Sequence, residues 1–150
     1  MIMTFHDTIM NRCLEIANNA FGQTTPNPMV GCVLVFENKI IGEGYHQQAE
    51  INAINSVENK NLIPLSTLYV SLEPCSHYGK TPPCCERIVQ EGIKKVVVGT
   101  IDTYADVNGK GISFLQQNNV EVVAPLLNDA CRTLNRRFFT FHEKHRPYII

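Results

Sequence analysis

The sequence has no excess of charge of either sign. Its 13 lysines and arginines stand against 14 aspartates and glutamates, so the formal net charge is -1. Proteins that grip nucleic acid through the phosphate backbone are usually basic. The charge balance therefore gives no support for nucleic-acid binding, and we expect no nucleic-acid partner.

Long apolar runs and an export signal are also lacking. No run approaches the roughly 18 apolar residues that a membrane-spanning helix needs. Residues 1–10 contain His6 and Asp7 and have no basic segment followed by an apolar one, the pattern of a secretory signal. We therefore expect no membrane partner and a cytoplasmic location.

Repeats, low-complexity tracts and linkers are absent as well, and 150 residues is the size of one ordinary domain. A hydrophobic fraction of 44% and a charged fraction of 18% suit a chain with a sizeable core. We predict a single domain over residues 1–150. Tyr148-Ile149-Ile150 resembles the opening of a strand, and residues 146–150 either pack on this domain or begin a second one.

Apolar periodicity predicts alternating helices and strands. The predicted helices are 4–20, 49–57, 83–91, 111–118 and 128–139, and the predicted strands are 29–36, 39–45, 67–72, 95–100 and 120–124. Glu37-Asn38 is typical of a hairpin turn, and Asn128 is a candidate N-cap. This order predicts an α/β fold, a three-layer α/β/α sandwich around a mixed five-stranded sheet that begins with an antiparallel hairpin.

The six cysteines divide into two groups. In a short chain without an export signal, metal binding or catalysis is a better interpretation of cysteines than a disulfide framework. Cys13, Cys32 and Cys131 lie in apolar segments and are interpreted as small buried side chains. The other three, Cys75, Cys84 and Cys85, lie close together in the chain and need a separate explanation.

Cys75 and Cys84 have surroundings that suit a zinc ligand. Cys75 follows a predicted strand, and Cys84 lies in the first turn of a predicted helix, where backbone amides favour the thiolate. Zinc prefers thiolate and imidazole ligands. Their separation exceeds the two-residue spacing common in structural zinc sites, so two cysteines without a metal remain an alternative. Cys85 points elsewhere on the helix and is interpreted as structural.

A hydrolytic zinc enzyme also needs a group that moves protons. Glu50, at the start of the second predicted helix, is the candidate. The alternative is that Glu50 only stabilises the helix through its dipole.

Three segments of the chain resemble the zinc-dependent cytidine/deoxycytidylate deaminase superfamily and, within it, the deaminase domains of the riboflavin-biosynthesis family RibD. They are TPNPMVGCV at 25–33, GEGYH at 42–46 and LEPCSHYGKTPPCC at 72–85. The long separation between Cys75 and Cys84 distinguishes this family from cytidine deaminases, whose two cysteines are two residues apart. The resemblance extends over nearly the whole chain, from about residue 4 to residue 150.

The resemblance implies a cytidine-deaminase-like fold, a zinc cofactor and a reaction. That reaction is hydrolytic deamination of 2,5-diamino-6-ribosylamino-4(3H)-pyrimidinone 5′-phosphate by zinc-activated water. Glu50 takes the role of catalytic proton shuttle, and Cys75 and Cys84 take two zinc-ligand roles. The expected partners are this phosphorylated pyrimidine and a reductase domain, which residues 146–150 would begin, or a further copy of the chain.

The same resemblance implies four substrate-binding residues. Asn27 matches a residue that bonds the pyrimidine, whereas His77 and Lys80 match residues that hold the ribose phosphate. Asp102 matches a further substrate contact, although Thr103-Tyr104 follows it where the family has Pro-Asn.

The sequence departs from the family at the third zinc ligand. The family places a histidine two residues before the catalytic glutamate, but this chain reads Gln48-Ala49-Glu50, with a shortened connection from His46. Three arrangements are open: His46 is the third ligand, Gln48 binds weakly in its place, or the site holds no metal. We assign His46 as the ligand. It lies four residues before Glu50, so the two side chains would share one face if the helix began one turn earlier.

Two other functions remain open at this point. A metal-deficient, inactive domain would bind pyrimidine phosphates or serve as a scaffold for a reductase. A deaminase of a free nucleotide such as deoxycytidylate is a further alternative, and the long cysteine separation argues against it.

Overall fold

Apolar strands in the first two thirds of the chain build the centre of the molecule. In the computed structural model, which describes residues 3–20, 29–46, 48–76, 82–101 and 109–135, five strands form one sheet in the order β2-β1-β3-β4-β5. The strands are β1 Gly31–Phe36, β2 Lys39–Tyr45, β3 Thr67–Leu72, β4 Lys95–Thr100 and β5 Glu121–Val123. β1 is antiparallel to β2 and to β3, whereas β3, β4 and β5 are parallel. The predicted mixed five-stranded sheet is confirmed.

Helices follow the strands and cover both faces of the sheet. They are α1 Phe5–Ala17, α2 Ala49–Ser56, α3 Cys84–Gln90, α4 Lys110–Gln117 and α5 Asn128–Leu134, with short 3₁₀ segments at Asn18–Ala20 and Lys60–Leu65. α2, α3 and α4 contribute Ile54, Ile88 and Leu115 to the core on one face. α1 and α5 contribute Met10 and Cys131 to the core on the other face. The three-layer sandwich is therefore confirmed.

The alternation of side chains along the strands explains the two cores. Leu68 and Val70 of β3 point into the first core, while Tyr69 between them points into the second. Because every second residue of a strand faces the same side, an unbroken apolar run supplies both cores at once. β1, β3 and β4 have this composition, which explains why they form the middle of the sheet.

Local signals fix two of the element boundaries. Thr4 caps α1, since its hydroxyl accepts the amide of Asp7 while the carboxylate of Asp7 accepts the amide of Thr4. Glu37 and Asn38 both adopt positive φ, at 50° and 64°, which matches the twist of the β1–β2 hairpin.

The predicted N-cap at Asn128 is wrong. Leu127 occupies the cap position with a φ of 55°, and Asn128 is the first residue of α5. The side chain of Asn128 accepts a hydrogen bond from the Thr100 hydroxyl at 2.6 Å. Asn128 therefore ties α5 to the end of β4, a long-range contact that the local pattern did not indicate.

All six cysteines carry free thiols, and Cys13, Cys32 and Cys131 are buried as predicted. Among the residues that the structure describes, no helix is both long and apolar enough to cross a bilayer. The predicted strand at 148–150 lies outside the described residues, as does the part of the predicted helix 128–139 that follows residue 135.

Candidate active site

The start of α2 is held against β2 by close backbone packing. Only residues 46–48 connect β2 to α2. The Asn52 side chain donates to the carbonyl of Tyr45 at 2.9 Å, and a Cβ on Gly44 would overlap the carbonyl of Ala49 and the amide of Ala53. Glycine at position 44 therefore allows the first turn of α2 to lie directly on the strand, and this fixes the position of Glu50.

Glu50 is a buried carboxyl at the N-terminal turn of α2, with 4% of its surface exposed. The pKa of Glu50 is raised to about 8, mainly by burial. The backbone amide of Glu50 and hydrogen bonding with the Cys84 thiol lower this pKa, whereas the charge of nearby Cys75 raises it. A carboxyl with a pKa near neutrality can both accept and release a proton, which is the property required of a proton shuttle.

Cys75 and Cys84 lie side by side at the start of α3. The backbone amide of Cys84 donates to the sulfur of Cys75 at 3.2 Å, and the amide of Cys85 donates to the carbonyl of Cys75 at 3.1 Å. These contacts fold the segment after β3 back onto the first turn of α3. The N-terminal amides of a helix stabilise a negative sulfur, so this position favours a thiolate at Cys75.

Glu50 and Cys84 meet where the N-termini of α2 and α3 converge. The hydrogen bond of Cys84 to Cys75, together with burial and the charge of Glu50, raises the pKa of the Cys84 thiol. The buried Glu50 and Cys84 thus lie beside the half-buried Cys75 in a place in which negative charge is costly. A divalent cation there would offset that charge and displace the protons, so this part of the donor set fits zinc.

The third position of a metal site is less complete. Among the described residues, no group of three or more His, Cys, Asp or Glu side chains is arranged to hold a metal ion. His46 is half-buried with a φ of 91°, and its amide donates to the carbonyl of Val30 at 3.1 Å. Gln48 occupies the N-cap of α2, two residues before Glu50. Both candidate third ligands therefore lie within four residues of Glu50 in the chain.

Cys85 faces away from this group. It is fully buried, and its thiol donates to the carbonyls of Pro74 at 3.4 Å and Gly111 at 3.5 Å. This contact agrees with the interpretation of Cys85 as a structural residue.

The predicted substrate-binding residues Asn27, His77, Lys80 and Asp102 lie outside the described residues. Of the predicted site, the structure therefore describes Glu50, Cys75, Cys84 and His46. It brings the carboxyl and the two thiols together, and their roles stay predictions.

The sequence analysis did not single out Glu73, which is buried directly after β3 and accepts three backbone hydrogen bonds from residues around the start of α4. A glutamate directly after an apolar strand is unusual, because glutamate is rarely buried. This position was the feature of the sequence that could have identified Glu73. Beside it lies an open cavity of about 440 Å³, whose described lining is Ser76, Gly109, Lys110, Ser113, Phe114 and Gln117. Ser76 directly follows Cys75, so the cavity begins next to the thiol pair.

Comparison with known proteins adds to this geometry. Residues 3–100 match the family model described as the cytidine and deoxycytidylate deaminase zinc-binding region. The riboflavin biosynthesis protein RibD of a Synechocystis strain is 47% identical over 154 residues, covering 99% of this chain and 41% of the relative. The diaminohydroxyphosphoribosylamino-pyrimidine deaminase of Buchnera aphidicola from Schizaphis graminum is 42% identical, covering 87% of this chain and 90% of the relative.

A solved structure agrees with the fold. It is the diaminohydroxyphosphoribosylaminopyrimidine deaminase/5-amino-6-(5-phosphoribosylamino)uracil reductase of Thermotoga maritima, which is 40% identical with a TM-score of 0.89. The match covers 96% of this chain and 43% of that structure. The chain thus spans about two fifths of the Synechocystis and Thermotoga proteins and is similar in extent to the Buchnera protein.

Proposed function

Because this chain belongs to the cytidine and deoxycytidylate deaminase family, we propose that it removes an amino group from a phosphorylated pyrimidine by hydrolysis. The proposed substrate is 2,5-diamino-6-ribosylamino-4(3H)-pyrimidinone 5′-phosphate, an intermediate of riboflavin biosynthesis. The names of the Synechocystis and Buchnera relatives support this choice. The long separation of Cys75 and Cys84 argues against deoxycytidylate as the substrate.

One observation carries the proposal: a buried carboxyl close to two adjacent cysteines. Cys75 and Cys84 both influence the pKa of Glu50, and the backbone amide of Cys84 donates to the sulfur of Cys75. A proton-transfer group beside two sulfur ligands is the arrangement that hydrolytic deamination by a zinc enzyme requires.

In the proposed mechanism, Cys75 and Cys84 would hold zinc, and zinc would make a water molecule more acidic and so a better nucleophile at neutral pH. Glu50 takes up a proton from the water and delivers protons to the ring nitrogen and the leaving amine. The net reaction exchanges the amino group of the pyrimidine for an oxygen and releases ammonia. Burial of Glu50 keeps bulk water away from the proton that it carries.

The remaining roles follow the family resemblance. We propose His46 as the third zinc ligand, since it directly precedes the short segment that leads to Glu50. Asn27 is proposed to bond the pyrimidine, and His77 with Lys80 to hold the phosphate. Asp102 is proposed as a further substrate contact.

A reductase is the proposed protein partner. The name of the Thermotoga relative combines a deaminase with a reductase, and a reductase would act on the deaminated product. The reductase is either a further domain of the same protein or a separate chain, and a homo-oligomer is the alternative assembly. The cytoplasmic location stays a prediction.

Replacing Glu50 tests the proposed function. In the zinc-loaded protein, we expect Glu50→Gln to retain zinc and to release ammonia from the riboflavin precursor about 10²- to 10⁴-fold more slowly than wild type. Glutamine is similar in shape to glutamate but cannot carry the proton. Glu58→Gln is the matched control, because Glu58 is exposed and lies apart from the thiol pair.

Two results would contradict the proposal. Ammonia release from deoxycytidylate but not from the riboflavin precursor would reassign the substrate. Zinc-loaded wild type that releases ammonia from neither compound would indicate a domain that only binds pyrimidine phosphates or supports a reductase.

A further inference from the structure

Glu73 joins the end of β3 to the start of α4. Its backbone amide donates to the carbonyl of Thr100 at 2.9 Å, which extends the pairing of β3 with β4. Its carboxylate accepts the amides of Gly109 at 2.9 Å, Gly111 at 2.9 Å and Ile112 at 3.1 Å. The side chain is buried, with 4% of its surface exposed.

These hydrogen bonds replace a conventional N-cap. Gly109 precedes α4 with a φ of 79° and has no side chain that could cap the helix, so the carboxylate of Glu73 satisfies the free amides instead. Hydrogen bonds to a charged acceptor are about twice as strong as those between neutral groups. The carboxylate of Glu73 therefore holds the end of β3 firmly against the start of α4, although the two are distant in the chain.

Two further contacts tighten the same connection. A Cβ on Gly111 would overlap the carbonyl of Pro74, so α4 approaches the backbone before Cys75 as closely as glycine permits. The Cys85 thiol donates to the carbonyls of both Pro74 and Gly111. The segment before Cys75, the start of α3 and the start of α4 thus form one packed unit.

This unit lies between the thiol pair and the cavity of about 440 Å³. Cys75 is two residues after Glu73, and Ser76, Gly109 and Lys110 line the cavity. Within the described lining, Lys110 is the residue that brings positive charge. A phosphorylated pyrimidine whose ring is bound next to Cys75 and Cys84 must extend its sugar phosphate into neighbouring space, and this cavity is adjacent and cationic.

We propose that Glu73 is a positioning residue that holds the Lys110 wall of this cavity at the correct distance from Cys75 to receive the phosphorylated ribose. The proposal rests on the proposed function and deepens it. In the described part of the chain, the carboxylate of Glu73 is bonded to the amides of residues 109–112, so its proposed effect on the substrate is through the Gly109–Gly111 backbone. Its loss should therefore weaken substrate binding more than it slows the chemical step.

Glu73→Gln tests this role, because the amide keeps the shape of the carboxylate but loses the charge and one acceptor oxygen. We expect the KM for the riboflavin precursor to rise about tenfold, with kcat per bound zinc changed less than about twofold. Zinc content should equal that of wild type. The ¹⁵N-NMR amide signals of Gly109, Gly111 and Ile112 should shift, which would confirm that the hydrogen bonds have changed.

Glu121→Gln is the matched control. Glu121 lies on the outer strand β5, has 65% of its side chain exposed and pairs with Lys95 of β4. Its KM should equal that of wild type. Lys110→Ala is a second test in case Glu73→Gln does not fold. Lys110 is exposed, so its replacement should not disturb folding, and it should raise the KM in the same way.

Binding of ribose 5-phosphate, measured by calorimetry, separates this inference from the proposed function. If wild type releases no ammonia, the proposed function fails, and weaker ribose 5-phosphate binding by Glu73→Gln would still support the positioning role. Shifted amide signals with unchanged KM and unchanged ribose 5-phosphate binding would overturn it. So would an unchanged KM and unchanged binding in Lys110→Ala.

Discussion

Burial makes Glu50 hold its proton more tightly than it would in water, whereas Cys84 holds its proton more tightly because of its interaction with Cys75, its burial and the charge of Glu50. Burial alone would raise both pKa values. Their direct contact makes the ionisation of one depend on the charge of the other. A metal ion would resolve this competition, because a divalent charge stabilises the thiolates and leaves the carboxyl free to exchange its proton.

The ligand roles can be separated with single substitutions of neighbouring residues. We expect Cys84→Ser to weaken zinc binding more than about a hundredfold, a larger loss than that caused by removing an outer contact of a metal ligand. Cys85→Ser is its matched control, because a serine hydroxyl can donate to the same carbonyls of Pro74 and Gly111. Metal content after dialysis against a zinc buffer is the measurement.

His46→Ala extends the same measurement to the third ligand. We expect it to lose zinc, whereas His6→Ala should keep zinc, because His6 contacts Tyr69 on the opposite face of the sheet. Full zinc content in His46→Ala would make the assignment of His46 wrong and would favour Gln48 or a residue outside the described ranges. Full zinc content in Cys84→Ser would contradict the site itself.

The sequence indicated candidate site residues but not the contacts between them. Cys75, Cys84 and Glu50 were found because thiols next to a predicted helix start and a motif glutamate are local signals. The hydrogen bond between Glu50 and Cys84 joins residues 34 positions apart, and no local pattern encodes it. Glu73 was not singled out for the same reason, since its partners are 36 to 39 residues away.

Among the helices and strands, α2 and β2 form the pair on which the site depends most. Ser56 of α2 accepts the amide of Glu43 at 3.0 Å, and Gly44 lies beneath the first turn of the helix. The approach is close because β2 has glycine where it faces α2. Any side chain at that position would push away the turn that carries Glu50.

Gly44→Ala should therefore destabilise the fold and displace Glu50. We expect a loss of about 1–3 kcal/mol in the free energy of unfolding, the usual cost of overpacking, together with a fall in kcat. Chemical denaturation and steady-state kinetics measure the two effects. Lys39→Ala on the exposed part of the same strand is the control, and equal stability of both variants would contradict the packing argument.

Strands were predicted more accurately than helix ends. The bounds of β2, β3 and β4 match the prediction, because β3 and β4 are rich in residues that favour strands and β2 begins directly after the hairpin turn. The 3₁₀ segment Lys60–Leu65 was not predicted, since Pro64 lies within it and short 3₁₀ turns have little periodicity. The start of α5 was misplaced because Leu127 adopts a conformation unusual for leucine.

In the whole molecule, the sheet has a hydrophobic core on each face, and the candidate site residues Glu50 and Cys84 lie on one of these faces. The core under α1 and α5 carries the His6–Tyr69 hydrogen bond at 2.6 Å. The other face brings together the N-termini of α2 and α3, with Glu50 and the thiol pair. Parallel strands β3 and β4 end on the same edge of the sheet, and Glu73 and Pro74 lead from β3 to Cys75 there.

The proposed identity of this chain as a zinc-dependent deaminase is best examined by zinc titration of chelator-treated protein, with ammonia release from the riboflavin precursor as the readout. The zinc-free protein should be inactive, and activity should rise with added zinc and level off near one bound zinc per chain. Full activity without zinc, or one bound zinc per chain without ammonia release, would contradict the account.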